Sequence, residues 1–223
     1  MQRYVVRVWL PDRPGALGAV ASRIGAVRGD VVGIDILEQG GGRAVDELVV
    51  ELPNGVPVDL LLSEMAQVDG VDVEDVRPAA DGGHDPRVDA LETAAMLVTT
   101  VAPIELLDAL CEHGARTLGA AWAAVVDVDD GFVLASVGPA PAGAWLTAFV
   151  AGSRTPAAPV PDVVWAPLPG AELAVVLGRH DLPFRARERR QAAALARIVD
   201  TRFRELAARA AKPVHPSRGI TVR

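Results

Sequence analysis

The chain has 223 residues, half of them hydrophobic, and a formal net charge of −7. This length suits one large domain or two small ones, no apolar run reaches the roughly 20 residues of a membrane span, and no leader precedes the first strand pattern, so the cytoplasm is the expected compartment. The acidic balance argues against nucleic-acid binding by the chain as a whole, and a single cysteine, Cys111, excludes an internal disulfide framework and a thiolate metal cage.

Residues 4–10 alternate, with Tyr4, Val6, Val8 and Leu10 on one side and Val5, Arg7 and Trp9 on the other, which predicts a strand. The turn Asp12-Arg13-Pro14-Gly15-Ala16-Leu17 follows and opens directly into a helix over 17–27, with Leu17, Val20, Ala21, Ile24 and Val27 at helical spacing. A turn rich in Pro and Gly before a helix presents free backbone N–H groups at the positive end of the helix dipole, a ready place for a carboxylate. Gly29-Asp30 stops the helix, and Val32, Ile34 and Ile36 alternate again. Gln39 to Gly42 make a turn. Leu48, Val50 and Leu52 then face one way while Glu47 and Glu51 face the other. After Pro53-Asn54-Gly55, the residues Val58, Leu61, Leu62 and Met65 form a second helical stripe. Val71 and Val73 begin a last strand that Pro78 ends.

The order is β-α-β-β-α-β, the split-βαβ, ferredoxin-like pattern. Two helices would cover one face of the sheet, leaving the other face, with Trp9, and an edge strand open to a partner. On the Asp12 to Leu17 turn, the helix after it and the Gly33-Ile34-Asp35-Ile36 strand, residues 4–77 resemble an ACT domain, a small regulatory module attached to many amino-acid metabolic enzymes. The resemblance implies side-by-side pairing of two copies and an amino acid bound between them. It implies that Asp12 and the backbone of Gly15, Ala16 and Leu17 hold the ligand's amino and carboxylate groups, with Arg13 and Pro14 in the same turn. Val32, Gly33 and Ile34 would contribute from across the interface. The alternative is that the turn is simply good strand-to-helix chemistry, with Asp12 an acid that favours the dipole.

Residues 79–87 are small and polar and read as a linker containing His84. Helices are expected over 88–101 and 104–118, the second carrying Cys111 on an apolar stripe as a small buried hydrophobe. His113 beside Gly114 reads as a helix-terminal cation. A strand over 122–128, a hairpin turn at Asp129-Asp130-Gly131, a return strand over 132–136 and a short helix over 144–150 follow. A Pro/Ala-rich loop over 152–161, strands over 163–166 and 171–177, and a helix over 185–210 complete the pattern. The last helix has a buried stripe of Ala192, Leu195, Val199, Phe203 and Leu206.

The strand Leu173 to Arg179, then Leu182-Pro183-Phe184, then Glu188 inside the last helix resemble the closing elements of a GAF domain. The resemblance covers about residues 90–208 and implies an α/β domain with an antiparallel sheet and a long C-terminal helix. Residues 139–161, where GAF ligand pockets are built, are short and sparse, so no cofactor is expected. The fold class expected is therefore α+β, with a ferredoxin-like ACT domain over 1–78, a linker over 79–87, a GAF-like domain over 88–211 and a tail over 212–223.

No Walker loop, G-x-G-x-x-G, H-E-x-x-H or G-x-S-x-G occurs, and none of His84, His113, His180 and His215 has a partner at metal-ligand spacing. Neither a catalytic residue nor a metal site is expected. Asp127, Asp129 and Asp130 crowd a turn but stop short of a Ca²⁺ loop. Residues 181–223 carry eleven Arg or Lys against four acids, read as a solvated outer helix face or as a partner for the acidic middle segment. Two functions stay open: a non-catalytic regulatory sensor binding a small ligand, an amino acid, at a homodimer interface, and a dimerisation module that binds no metabolite. Any downstream protein partner is unspecified.

Overall fold

The computed structural model describes residues 1–79, 85–153 and 160–211. His84, His215 and the expected tail lie outside these residues, as do parts of the expected linker and of the 152–161 loop. The fold is α+β, with two antiparallel four-stranded sheets and a long final helix. The chain divides into two compact units, Met1–Leu91 with Asp181–Gln191, and Glu92–His180 with the chain from Ala192 onward.

The first unit contains β1 (Gln2–Pro11), α1 (Ala16–Ala26), β2 (Asp30–Gly40), β3 (Arg43–Leu52), α2 (Val58–Met65) and β4 (Asp72–Pro78). The sheet order is β2-β3-β1-β4, with every neighbouring pair antiparallel. The period of two along β1 sends Val6, Val8 and Leu10 to one face, and β3 adds Leu48, Val50 and Leu52. Ala16, Val20 and Ile24 of α1 and Leu61 and Met65 of α2 close the core from above. Each large apolar side chain buried here stabilises the unit by about 1.5–3 kcal/mol. Gly29 is needed for close packing after α1, since a Cβ there would meet Ile24 at 2.9 Å and Leu52 at 3.0 Å.

The outer face of this sheet is not open, contrary to expectation. Segment Asp181–Gln191 belongs to the first unit and packs there. Arg7 is 1% exposed and donates to Glu47 Oε1 at 2.8 Å, Glu188 Oε1 at 3.1 Å and the Pro183 carbonyl at 2.9 Å. Trp9 lies between two guanidinium groups, Arg43 at 5.0 Å and Arg185 at 4.7 Å from the ring centroid. Arg185 also pairs with Glu74, and Arg187 with Asp35. A buried arginine in a strand requires acids around it. Arg185 and Arg187, at the start of the last helix, thus pair with acids of the first unit, whereas Arg190 is exposed.

The second unit contains α3 (Pro86–Thr99), whose first residues lie in the first unit, α4 (Pro103–Leu118), β5 (Trp122–Asp127), β6 (Val133–Val137), α5 (Gly143–Ser153), β7 (Val163–Leu168), β8 (Leu173–Gly178) and most of α6 (Ala186–Ala210). Its sheet order is β6-β5-β8-β7. β8 is buried along its whole length, as a central strand covered on both faces must be. Trp122, Ala124, Val126, Ala174 and Val176 pack with Leu146 and Val150 of α5. Cys111 is buried, as expected. His113 is not at a helix end: α4 runs on to Leu118 and closes on Gly119 at φ 60°, while Gly114 sits in the helix against Leu110 and Leu177. His113 Nδ1 instead lies 2.6 Å from the Arg116 guanidinium. In α6, Ala192, Leu195, Val199 and Leu206 are buried and Phe203 is half-buried.

Candidate functional site

Pro11 ends β1, and the chain turns through Asp12 to Gly15 into α1. The Asp12 N–H donates to the Gly42 carbonyl at 2.9 Å, tying this turn to the β2–β3 hairpin. The Arg13 N–H donates to the Pro11 carbonyl and the Ala16 N–H to the Arg13 carbonyl. Gly15 precedes the helix at φ 88°, a left-handed conformation that favours glycine, and no side chain caps the helix. A Cβ on Gly15 would meet nothing within 4 Å, so the space before the helix is open. The first helical bond from beyond the turn is the Ala19 N–H to the Gly15 carbonyl, leaving the Leu17 and Gly18 amides without a partner among the described residues. The Asp12, Arg13, Pro14 and Gly15 side of the turn is exposed. Ala16 is buried in the core and Leu17 packs at its rim.

Val32, Gly33 and Ile34 lie on β2, the edge strand. Val32, Ile34 and Ile36 are all exposed there, an apolar row on an unpaired edge. One chain does not bring these residues to the turn. Gly33 is in register with Val49, which pairs with Val5, and Pro11 lies six residues further along β1. At 3.3 Å per residue the two groups are about 20 Å apart.

Asp46 was not among the residues expected at the site. It lies on β3, paired with Val8 of β1 and Ile36 of β2, on the face that carries Leu48, Val50 and Leu52 beneath the helices. It is 3% exposed, and its Oδ1 is buried with no hydrogen-bond partner among the described residues. Burial, and after it the negative charge of Asp12, raises its carboxyl above the ordinary 3.8. The signal was present in the sequence: Asp46 has the parity of Leu48 and Val50, an acid at an inward position.

Elsewhere, Asp127 accepts hydrogen bonds from the Asp129 and Asp130 amides at 2.9 and 3.0 Å, and these hold its carboxyl below the ordinary range. That is the chemistry of a hairpin turn. Among the described residues, no group of three His, Cys, Asp or Glu side chains could hold a metal ion, and no helix is long and apolar enough to cross a membrane.

No protein-family model and no curated protein matches the chain. Among solved structures, an ACT domain protein from Streptococcus pneumoniae is similar at 16% identity and a TM-score of 0.30, over 37% of this chain and 98% of that one. The GAF domain of a phosphoenolpyruvate-protein phosphotransferase from Acinetobacter is similar at 12% identity and a TM-score of 0.42, over 60% of this chain and all of that one. A formyltetrahydrofolate deformylase from Pseudomonas putida is similar at 13% identity and a TM-score of 0.30, over 40% of this chain and only 36% of its own length. Structural neighbours of the chain thus include both an ACT domain protein and a GAF domain.

Proposed function

We infer that this chain is a non-catalytic regulatory protein of the cytoplasm, in which residues 1–78 act as an ACT-type domain that binds a small ligand, an amino acid, between two copies. Residues 88–211 act as a GAF-like domain, joined by a linker over 79–87 and followed by a tail. The observation that carries this reading is the open N-terminus of α1, where Gly15 leaves space and the Leu17 and Gly18 amides lack partners among the described residues. Asp12 to Leu17 supply one half of the site. Val32, Gly33 and Ile34 of a second copy supply the other, since one chain holds the halves far apart. Pairing along the β2 edge would cover Val32, Ile34 and Ile36. Ligand binding would then act by stabilising one dimer geometry.

A thermal-shift panel of the twenty amino acids on the full chain tests the ligand. A specific binder present at a hundredfold its Kd adds about 2.7 kcal/mol of stability, and no shift with any amino acid at millimolar concentration refutes the reading. Sedimentation of the Ile34→Lys variant tests the edge, which should shift from dimer to monomer. The exposed apolar row on β2 also favours a second reading, a dimerisation module with no metabolite. A dimer that Ile34→Lys breaks, together with a flat amino-acid panel, would select it.

A further inference from the structure

Helix α3 turns more of its large apolar side chains outward than inward. Thr93 and Leu97 are buried, and the Thr93 hydroxyl lies 2.7 Å from that of Thr117 on α4. On the opposite side Val88 is 47% exposed, Leu91 71% and Val98 53%, and Ala95 between them is exposed. A helix that is apolar on two sides belongs in a core or against a partner, and adjoining apolar residues on a surface mark an interaction site.

The spacing identifies the partner. Val88, Leu91, Ala95 and Val98 stand at the a and d positions of two heptads. Such a stripe is complementary to a copy of itself, as a two-fold interface requires. The flanking charges agree. Arg87 occupies the g position before the first a, and Glu92 the e position after the first d. In a parallel pair, g of one helix meets e of the next heptad in the other, which here sets Arg87 against Glu92 on both sides of the seam. An antiparallel pair sets e against e, so that Glu92 would meet its own copy. The stripe also adjoins the β2 edge within the first unit. Arg87 Nη2 lies 3.6 Å from Oδ1 of Asp35, which stands between the exposed Ile34 and Ile36.

We propose that α3 pairs in parallel with α3 of a second copy of this chain, as a continuation of the dimer interface. The proposal rests on the reading that two copies pair along β2 and adds where their contact continues. Two heptads cover only a few hundred Å² per partner, short of the roughly 800 Å² of a standard interface, so the α3 seam and the β2 edge hold the dimer together and neither holds it alone. The seam is short for an isolated coiled coil, but Thr93 and Leu97 already anchor α3 in its own chain, so pairing has no helix to nucleate.

The test is sedimentation of the full chain across a concentration series, for the wild type and the Leu91→Lys, Val98→Lys and Ile34→Lys variants. The wild type should be a dimer. Leu91→Lys should raise its Kd at least about 100-fold, because two leucines lose burial and two like charges meet, and Val98→Lys should act in the same direction. Leu91 and Val98 are each more than half exposed, so these variants should melt as the wild type does. Under mild oxidation Leu91→Cys should form a disulfide-linked dimer, free of competition from Cys111, the one native cysteine, which is buried. Trapping only in mixtures of Leu91→Cys with Ala95→Cys overturns the parallel direction. A dimer that Ile34→Lys breaks and that both α3 variants leave intact overturns the α3 seam and leaves the β2 reading. A dimer that Leu91→Lys breaks and Ile34→Lys does not supports the seam and overturns the β2 edge. A wild type that stays monomeric overturns both.

Discussion

Replacing Arg7 with methionine removes a guanidinium that is 1% exposed while keeping most of its apolar stem. Three acceptors lose a donor: Glu47 at 2.8 Å, Glu188 at 3.1 Å and the Pro183 carbonyl at 2.9 Å. Removing one partner of a buried ion pair destabilises by about 3–5 kcal/mol, because the remaining charge stays desolvated. Here the lower end applies, about 3 kcal/mol, since Glu47 keeps Arg77 at 2.7 Å and Glu188 keeps the Arg185 amide at 2.7 Å. Urea unfolding followed by hydrogen exchange of β1 and β3 amides reads this unit separately from the other. The loss has a pH signature. Burial pushes the Glu47 carboxyl up, but the charges of Arg7 and Arg77 and their hydrogen bonds outweigh it and hold the group below its ordinary 4.5. A depressed folded value means that the stabilisation is complete above the unfolded value and fades as pH falls through the folded one. The difference between wild type and Arg7→Met should therefore be largest near neutrality and shrink below pH 4.5. The double variant with Glu188→Gln isolates one arm, with a coupling of about 0.5–3 kcal/mol. A loss under about 1 kcal/mol at neutral pH, the scale of an exposed pair, would refute the claim that this face of the sheet is held by buried charge.

Asp46→Asn should have the opposite sign. Burial and then Asp12 raise the folded carboxyl above 3.8, so the folded state binds the proton more tightly and wild-type stability falls as pH rises from 3.8 through the raised value. The variant should gain about 1 kcal/mol at neutral pH and nothing in acid, read by urea melts across pH. Two glycine substitutions should also part company in thermal melts. Gly138→Ala, at φ 68° with a Cβ 2.2 Å from the Ala121 carbonyl oxygen, should lose about 3 kcal/mol. Gly18→Ala, in open space within α1, should gain about 0.5–1 kcal/mol. Cys111, whose thiol burial and then Asp108 push up to about 12, should resist alkylation in the native chain and react only on unfolding, as mass spectrometry of iodoacetamide-treated protein would show.

The elements were legible because their periods are local. The alternation of Val6, Val8 and Leu10 and the helical spacing of Val20 and Ile24 encode which face is buried, whatever lies opposite. Helix α6 was expected over 185–210 and runs over Ala186–Ala210 for the same reason. The site was legible only in part. The Asp12 to Leu17 turn stood out because its Pro and Gly dictate a backbone shape. The buried Asp46 did not, although its parity marked it, because an inward acid is noticed only when its Oδ1 is seen to have no partner among the described residues. His113 was misplaced because Gly114 looks like a helix stop, whereas Gly114 is buried inside α4, which runs on to Leu118.

By itself, then, the sequence determined the order and type of the elements, the two-sheet α+β class and the turn before α1, since all of these depend on residues within a few positions of one another. Tertiary structure alone decided that Arg7 meets Glu188, that Arg43 and Arg185 both lie against the Trp9 ring, and that the Asp46 Oδ1 is buried with no hydrogen-bond partner among the described residues. These are meetings of residues up to 181 positions apart. Charge pairing depends on distance in space, and no local period records which distant acid a buried arginine will find.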